Sequence, residues 1–390
     1  MPRILREEGT KVDFKLTEDQ QRIRDSVRDF AQNEIRPRAT EIDRTGDFPV
    51  DIFEQMGALG LMGLPIAEEY GGAGADYTSY CLALEEITRA CASTGLGYEA
   101  HISLGCMPIY LFGSEEQKQK YLAMLCSGES MGSFGLTEPE AGSDSGGTKT
   151  TAILEDGEWV INGSKIFITN ASYAKFVTIT AVTDKGKGTR GISDIIVPVP
   201  TRGFTIRAGF EKLGLHGSNT TALFFDDVRV PQKNLVGGRG KGFKQFLVVL
   251  DGGRIAIGAM GVGIAQACLD ASLKYAKERV QFGHPIGKFQ AIQFKLADIA
   301  MNIELARLMY LKAAWLKERG RPHSQEASYA KLFGSEMATK AALEAIQIHG
   351  GYGYIREFPV ERYLRDAKLL EIGEGTSEIM RVVIARGLGL

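Results

Sequence analysis

The chain has little of what usually announces a chemistry. Its five cysteines, Cys81, Cys91, Cys106, Cys126 and Cys268, are odd in number, far apart and without a C-x-x-C. That fits reduced, mostly buried thiols better than a disulfide frame or a zinc site. The five histidines (His101, His216, His284, His323 and His349) are as scattered, with no H-E-x-x-H, so metal chemistry is not expected. Charge is nearly balanced, 46 basic against 48 acidic side chains, which leaves no electrostatic footprint for nucleic acid or an anionic membrane. No apolar run approaches the roughly 20 residues of a membrane span. The opening Met-Pro-Arg-Ile-Leu-Arg-Glu-Glu-Gly carries acids early and has no apolar core, so neither a signal nor a transit peptide is expected and the expected location is cytoplasmic.

Two nucleotide motifs also fail. Gly238-Arg-Gly240-Lys-Gly242 lacks the P-loop spacing and its Ser/Thr, and Gly258-Ala-Met-Gly261-Val-Gly263 has the wrong spacing for G-x-G-x-x-G and lies within a helical pattern. Direct NAD chemistry on a Rossmann site is thereby disfavoured.

What is present is a change of period along the chain. At 390 residues, two or three domains are expected. The first third reads helical: Thr17 and Gln20 form a capping-box pair ahead of Ile23, Val27, Phe30 and Ala31, and Pro37 should end or bend that helix. Further helices are expected over 53–59, 77–91, 95–111 (interrupted by Pro108) and, from a second capping box at Ser114, to about 125. From about 130 to 236 the chain turns β-branched and aromatic. Strands are expected over 148–154, 159–161, 165–169, 176–182, 192–199, 204–206 and 221–230, with turns at Asp156-Gly157 and Asn162-Gly163. After Gly242 long helices return, over 243–279, 289–319, 324–349 and 359–370 and again after Thr376. The expected fold is α+β and multidomain: a helical domain (1–129), an antiparallel β-barrel or sandwich (130–240) and a C-terminal four-helix bundle (241–390).

Three segments carry candidate chemistry. Glu374 stands between Gly373 and Gly375, ahead of Thr376 and Ser377, either of which can cap a following helix. That places a carboxylate on a glycine hinge, as a general base requires, although such a segment alone also reads as a solvated turn. Phe134-Gly-Leu-Thr-Glu-Pro-Glu-Ala-Gly-Ser-Asp144 offers hydroxyls, amides and a proline-held turn that could bond the edge of a flat heterocycle. In Lys165-Ile-Phe-Ile-Thr-Asn170, Phe167 and Thr169 occupy alternate strand positions and are expected on one face.

These three segments together, with Glu278-Arg-Val-Gln-Phe-Gly283 and Gln347-Ile-His-Gly-Gly351, closely resemble the acyl-CoA dehydrogenase family of flavoproteins, in the same order over nearly the whole chain. The likeness is strongest to the short-chain, butyryl-CoA-type branch of bacterial enzymes. The resemblance implies FAD, a homotetramer built as a dimer of dimers, and a place in fatty acid β-oxidation. Phe134, Leu136, Thr137 and Ser143 would line the flavin and the thioester end of the substrate, with Phe167 and Thr169 against the ring. Arg279, Phe282 and Gln290 would hold the FAD pyrophosphate and adenine across a subunit interface, with Gln347, Gly350, Gly351, Thr376 and Glu378 completing that grip. Ser143, Asp251, Arg254 and Gly375 would meet the acyl-CoA.

The family places its catalytic base at one of two positions. One corresponds to Gly253, which cannot do acid–base work; the other is Glu374, and the choice falls there. The implied reaction is α,β-dehydrogenation, with the pro-R α-proton going to Glu374 and the β-hydride to flavin N5. Electrons would pass to an electron-transferring flavoprotein, with Glu211 at a position used in docking. An oxygen-using acyl-CoA oxidase and a non-catalytic flavin-binding assembly protein are the alternatives. The chain is far shorter than typical oxidases, and an intact Glu374 argues against the non-catalytic reading. Gly373 stands where relatives often have tyrosine, so a pocket widened for branched or cyclic acyl groups is expected. Glu99 falls in a segment that lines the acyl end of the pocket in relatives, but unpaired charges avoid burial and it is expected to point elsewhere.

Overall fold

The computed structural model describes residues 15–390, so the expectation about a leader lies outside the described residues. The first helix, α1 (Glu18–Phe30), opens on its capping box: Thr17 Oγ1 accepts from the Gln20 amide (3.2 Å) and the Gln20 side chain accepts from the Thr17 amide (3.0 Å). Around Pro37 the helix loosens into a π turn and a 3-10 turn before α2 (Ala39–Thr45). Helices α3 (Val50–Ala58), α4 (Tyr77–Ala90), α5 (Ala92–Glu99), α6 (Met107–Phe112) and α7 (Glu115–Cys126) complete the first block. The break expected at Pro108 falls earlier, at a π turn over Ala100–Cys106. Pro108 lies in the first turn of α6, where its missing N–H costs nothing. All five cysteines are buried and free.

The middle block is one sheet built from β1 (Phe134–Gly135), β2 (Thr151–Glu155), β3 (Glu158–Thr169), β4 (Phe176–Val182), β5 (Ile192–Pro198), β6 (Phe204–Ala208), β7 (Thr220–Pro231) and β8 (Leu235–Val236). Strand order is β6-β7-β3-β2-β4-β5-β8 with β1 beside β4. Its pairs are antiparallel except where β4 meets β1 and β2. Asp156 (φ 49°) and Gly157 (φ 84°) make the tight β2–β3 hairpin. Asn162-Gly163, expected as another turn, is instead a bulge inside a continuous β3. Gly163 takes φ 143° there, and a Cβ on it would approach Thr150 Oγ1 to 2.6 Å. A second irregularity, between Lys165 and Ile168, puts Phe167 at φ 59°. Simple alternation therefore fails along this strand: Lys165 is wholly buried while Phe167 is 61 % exposed.

The C-terminal block holds α8 (Gly242–Glu278), α9 (Gln290–Glu318), α10 (Ser324–His349), α11 (Val360–Leu370) and α12 (Ser377–Gly387), with a small hairpin of β9 (Val280–Gln281) and β10 (His284–Pro285) after α8. By length and composition α8 could cross a membrane, contrary to the sequence expectation, but most of its apolar stretch is buried inside the fold. It is the central helix, packed on α4, α9 and α10. Against α10 the backbones nearly touch: a Cβ on Gly261 would lie 2.4 Å from Gly334 O, and Gly258 and Gly334 oppose each other similarly. Ion pairs tie the two helical blocks together. Arg307 on α9 meets Glu85 on α4 at 2.8 Å, Arg89 meets Asp270 at 2.6 Å, and Arg365 on α11 meets Asp43 on α2 at 2.6 Å.

Candidate active site

The turn between α11 and α12 carries Glu374. The amides of Ile372 and Gly373 fold back onto Leu369 O (2.9 and 2.8 Å), and Thr376 Oγ1 caps α12 by accepting from the Ile379 amide (3.3 Å). Between these anchors Glu374 (φ 55°) and Gly375 (φ 102°) are both left-handed. Only glycine adopts that geometry freely, so the Glu374 backbone is strained and must be held by its surroundings. The holding group is Lys331 of α10, a buried side chain whose Nζ donates to Gly375 O at 2.6 Å.

The Glu374 carboxyl lies over Gly253 of α8. A Cβ there would sit 2.0 Å from Oε2 and 2.8 Å from Oε1. The two positions that the resemblance offers for a base are thus one place in space, and the missing side chain at 253 leaves room for the carboxyl at 374. Both carboxyl oxygens are shut off from solvent and accept no well-formed hydrogen bond from the chain. Burial pushes Glu374 up to about 7, while contact with the Glu99 carboxyl and the charges of Arg254 and Lys331 pull the other way. Arg254 is buried and bonds Asp251 Oδ1 (2.7 Å), which also accepts from Ser324 Oγ (3.0 Å). Burial likewise pushes Lys331 down to about 8, against the opposing pull of Glu374.

Glu99 does not point elsewhere. Every residue of α5 is buried, so the helix offers no solvent direction, and the Glu99 side chain ends facing Glu374. It is 1 % exposed. Burial raises its carboxyl well above the usual range, and the neighbouring Glu374 charge adds to the shift. Lys331 was not singled out by the sequence either. Its signal was a lone lysine among Ala327, Ala330, Gly334 and Ala338, on a face otherwise made of small residues.

The second group of residues lies on the sheet. Ile166 donates its amide to Thr137 O (2.9 Å) and Ser133 Oγ donates to Thr169 O (2.7 Å), so the segment after β1 runs beside the end of β3. Phe134 is buried, Leu136, Thr137 and Thr169 are half-buried, and Ser143 is exposed. Lys165 fixes this segment from beneath, donating to Leu136 O (3.1 Å), Glu138 Oε1 (2.8 Å) and Thr180 Oγ1 (2.9 Å). Glu138 in turn accepts from the amides of Lys149 (2.7 Å) and Thr150 (3.1 Å). Burial acts to raise Glu138, but Lys165 and those amides hold it below its ordinary value.

A third group is separate. Arg279, Gly350 and Gly351 line an open groove with Tyr275, His349 and Tyr352, and the Arg279 guanidinium lies over the Tyr352 ring. Phe282 (88 % exposed), Gln290 and Gln347 face solvent. Glu378 is exposed in the first turn of α12, next to the capping Thr376. Among the described residues no hydrogen bond, ion pair or ring contact links this groove to Glu374.

These surfaces fit FAD. The solvent-open Phe167 ring stands near half-buried threonine hydroxyls at one place, and at another an arginine borders glycines at which a Cβ would meet nothing within 4 Å. A ring face with polar edge groups suits a flavin, and a cation beside open backbone suits a pyrophosphate.

Comparison with known proteins gives the same answer. The N-terminal, middle and C-terminal domains of acyl-CoA dehydrogenase match residues 17–129, 133–228 and 240–389. A Bacillus subtilis protein named "Probable acyl-CoA dehydrogenase YngJ" is 62 % identical over 97 % of this chain and all of its own. Butyryl-CoA dehydrogenase from Megasphaera elsdenii superposes with a TM-score of 0.95 at 43 % identity, covering 97 % of this chain and 100 % of that one. A chain from the structure describing the electron transferring flavoprotein of Acidaminococcus fermentans matches equally well, with a TM-score of 0.95, 46 % identity and coverage of 97 % and 99 %. The chain belongs to the acyl-CoA dehydrogenase family of FAD-dependent oxidoreductases.

Proposed function

We propose that this chain converts a short acyl-CoA thioester to its trans-2-enoyl-CoA, with Glu374 as the base that removes the pro-R α-proton. The observation that carries this reading is the Glu374 carboxyl itself. It is shielded, without a hydrogen-bond donor of its own, set over the open face of Gly253 and raised towards neutrality. A shielded carboxylate poised near pH 7, in contact with the Glu99 carboxyl alone, is suited to take a proton from a weak carbon acid. FAD would supply the acceptor for the hydride leaving the β-carbon. The Glu374 N–H would donate to the developing enolate oxygen, an oxyanion-hole arrangement. Lys331 keeps the turn in place, and substrate expels water from around the base.

In this reading Phe134, Leu136, Thr137, Ser143, Phe167 and Thr169 hold the flavin, and Ser143, Asp251, Arg254 and Gly375 meet the acyl-CoA. Arg279, Phe282, Gln290, Gln347, Gly350, Gly351, Thr376 and Glu378 hold the dinucleotide. The groove beside Arg279 is open on a single chain, which supports a homotetramer, a dimer of dimers, in which it serves a neighbouring subunit. The domain limits are 1–129, 130–240 and 241–390. The electron acceptor is an electron-transferring flavoprotein, supported by the Acidaminococcus fermentans match, with Glu211 at the docking face. The setting is cytoplasmic fatty acid β-oxidation. At Gly373 a Cβ would meet only Leu369, at 3.6 Å or more. The glycine therefore leaves space that larger side chains would take, and the pocket admits branched or cyclic acyl groups.

Anaerobic titration of the yellow holoprotein with a panel of acyl-CoAs tests this directly. Bleaching of the flavin band is expected with short thioesters, branched ones included. A band that no thioester bleaches would sink the dehydrogenase reading, and a clean preference for straight butyryl-CoA would sink the role given to Gly373. The base position has its own test. Gly253→Ala would drive a methyl group into Oε2 of Glu374, and a displacement of about 1 Å at a reacting group costs on the order of 100-fold in rate. Stopped-flow flavin reduction should show that loss with FAD content unchanged; a near-parental rate would mean Glu374 works from somewhere else.

A further inference from the structure

Glu99 ends α5 facing the Glu374 carboxyl, on the side that the proposed reaction gives to the acyl tail, where an apolar tail would call for an apolar wall. Its Oε1 is buried without a partner. Neither cation acting on Glu374 is spent on it: Arg254 bonds Asp251 and Lys331 bonds Gly375 O. The groups around it are the Glu374 carboxyl, which its own carboxyl contacts, and hydroxyls. Tyr80 Oη lies 3.2 Å from Ser103 Oγ, Ser103 stands by the Glu99 carboxyl, and the buried Tyr77 Oη has no partner either. A fold rarely keeps a buried acceptor unmet, because the group loses its hydration and receives nothing in return. Where it does so beside a reacting centre, the partner comes from outside the chain.

The position says which part of the substrate that partner is. Glu374 must reach the α-carbon, and Glu99 faces Glu374, so the atoms that come up to Glu99 are those of the acyl tail a few carbons beyond. Ionised or protonated, a carboxyl keeps an acceptor oxygen. A methyl-terminated tail would leave that oxygen unmet, and a carboxylate-terminated tail would bring like charge against it. A hydroxyl or amino group would satisfy it.

We propose that Glu99 is a specificity-determining residue that accepts a hydrogen bond from the substrate tail, and that the preferred thioesters are short acyl groups bearing a hydroxyl or amino donor beyond the β-carbon. The proposal rests on the dehydrogenase reading and adds the substrate class.

The test uses anaerobic single-turnover flavin reduction in the FAD-loaded enzyme with three matched thioesters: butyryl-CoA, 4-hydroxybutyryl-CoA and glutaryl-CoA. The hydroxylated substrate should lead in reduction rate over Kd by on the order of 10- to 100-fold, since a site built to bond a hydroxyl penalises the analogue without one. Glu99→Leu should turn that order round in favour of butyryl-CoA. Glu99→Gln keeps an acceptor and removes the charge, so it should hold the hydroxyl preference while admitting glutaryl-CoA. Calorimetric affinities for the corresponding 2-enoyl-CoA products, which need no turnover, should rank the same way. A parental enzyme that prefers butyryl-CoA would overturn the proposal and leave the dehydrogenase reading standing. So would a Glu99→Leu variant that keeps the parental order. If Glu99→Leu does not fold, a Glu99→Gln variant with glutaryl-CoA still excluded would overturn it as well. Reduction by none of the three, or by any other acyl-CoA, would remove both readings together.

Discussion

Replacing Glu374 with glutamine is expected to give a folded, yellow protein whose flavin acyl-CoA reduces at about 10²- to 10⁴-fold below the parental rate, the usual worth of a positioned general base. Glutamine matches the shape and fits the same space over Gly253, so the turn held by Lys331 and the caps at Leu369 and Thr376 should persist. What is lost is the basic carboxylate that takes the α-proton in the proposed reaction. The parental enzyme should also show the base in its pH profile. With Glu374 raised to about 7, the reduction rate should climb with pH through that region as the carboxyl ionises, and the residual rate of the variant should be flat across it. Stability must move in the opposite sense. A carboxyl whose folded pKa lies above its ordinary 4.5 favours its protonated form in the fold, so stability is fully present below pH 4.5 and is lost as pH rises towards 7. Above pH 7 the glutamine variant, which never ionises, should therefore melt higher than its parent. A rate within tenfold of parental, or an unchanged pH midpoint, would place the base on another residue.

Lys165→Met is expected to cost about 3–5 kcal/mol of folding free energy, because it removes one partner of a buried ion pair and strands the other. Lys165 is wholly buried and Glu138 nearly so. Without the ammonium, Glu138 keeps only two amide donors, and the carbonyl of Leu136 loses its tether. The damage should reach the cofactor, since Leu136 and Thr137 belong to the segment assigned to the flavin. Thermal unfolding of the apoprotein and FAD retention on dilution read the two effects apart. Adding Glu138→Leu to Lys165→Met should restore much of the stability, as an apolar pair of similar volume often equals a buried ion pair. A single Lys165→Met variant within 1 kcal/mol of the parent would show that Glu138 finds another partner.

Features written in neighbouring residues were legible before any fold was known. The capping boxes at Thr17 and Ser114 and the Asp156-Gly157 hairpin are complete within four residues, and each formed as expected. Asn162-Gly163 carries the same local signal as that hairpin, yet pairing with β7 carries β3 straight through it. A long-range partner turned a turn sequence into a bulge, and nothing at 162–163 announces it. Glu99 departs from the expected exposure for a similar reason. The rule that charges avoid burial assumes the chain can turn them outward, and a helix buried on every side cannot. Gly253 and Glu374 could be read one by one as alternative seats for a base, but that they meet in space belongs to the tertiary structure alone.

The glycine seam between α8 and α10 bears on how such a site can vary. Where Gly258 and Gly261 meet Gly334, the gap is set by main chain against main chain, with no methylene to trim or add. Gradual substitution, the ordinary means by which a core drifts, has no purchase there, because any side chain at all is a wedge. The same two helices carry Gly253 under the Glu374 carboxyl and Lys331 behind its turn, so the seat of the proposed base is insulated from that drift. Change is left to the parts that stand off the seam, the end of α5 and the residue before Glu374. The proton transfer would be inherited nearly unaltered while the choice of acyl tail remains open to selection.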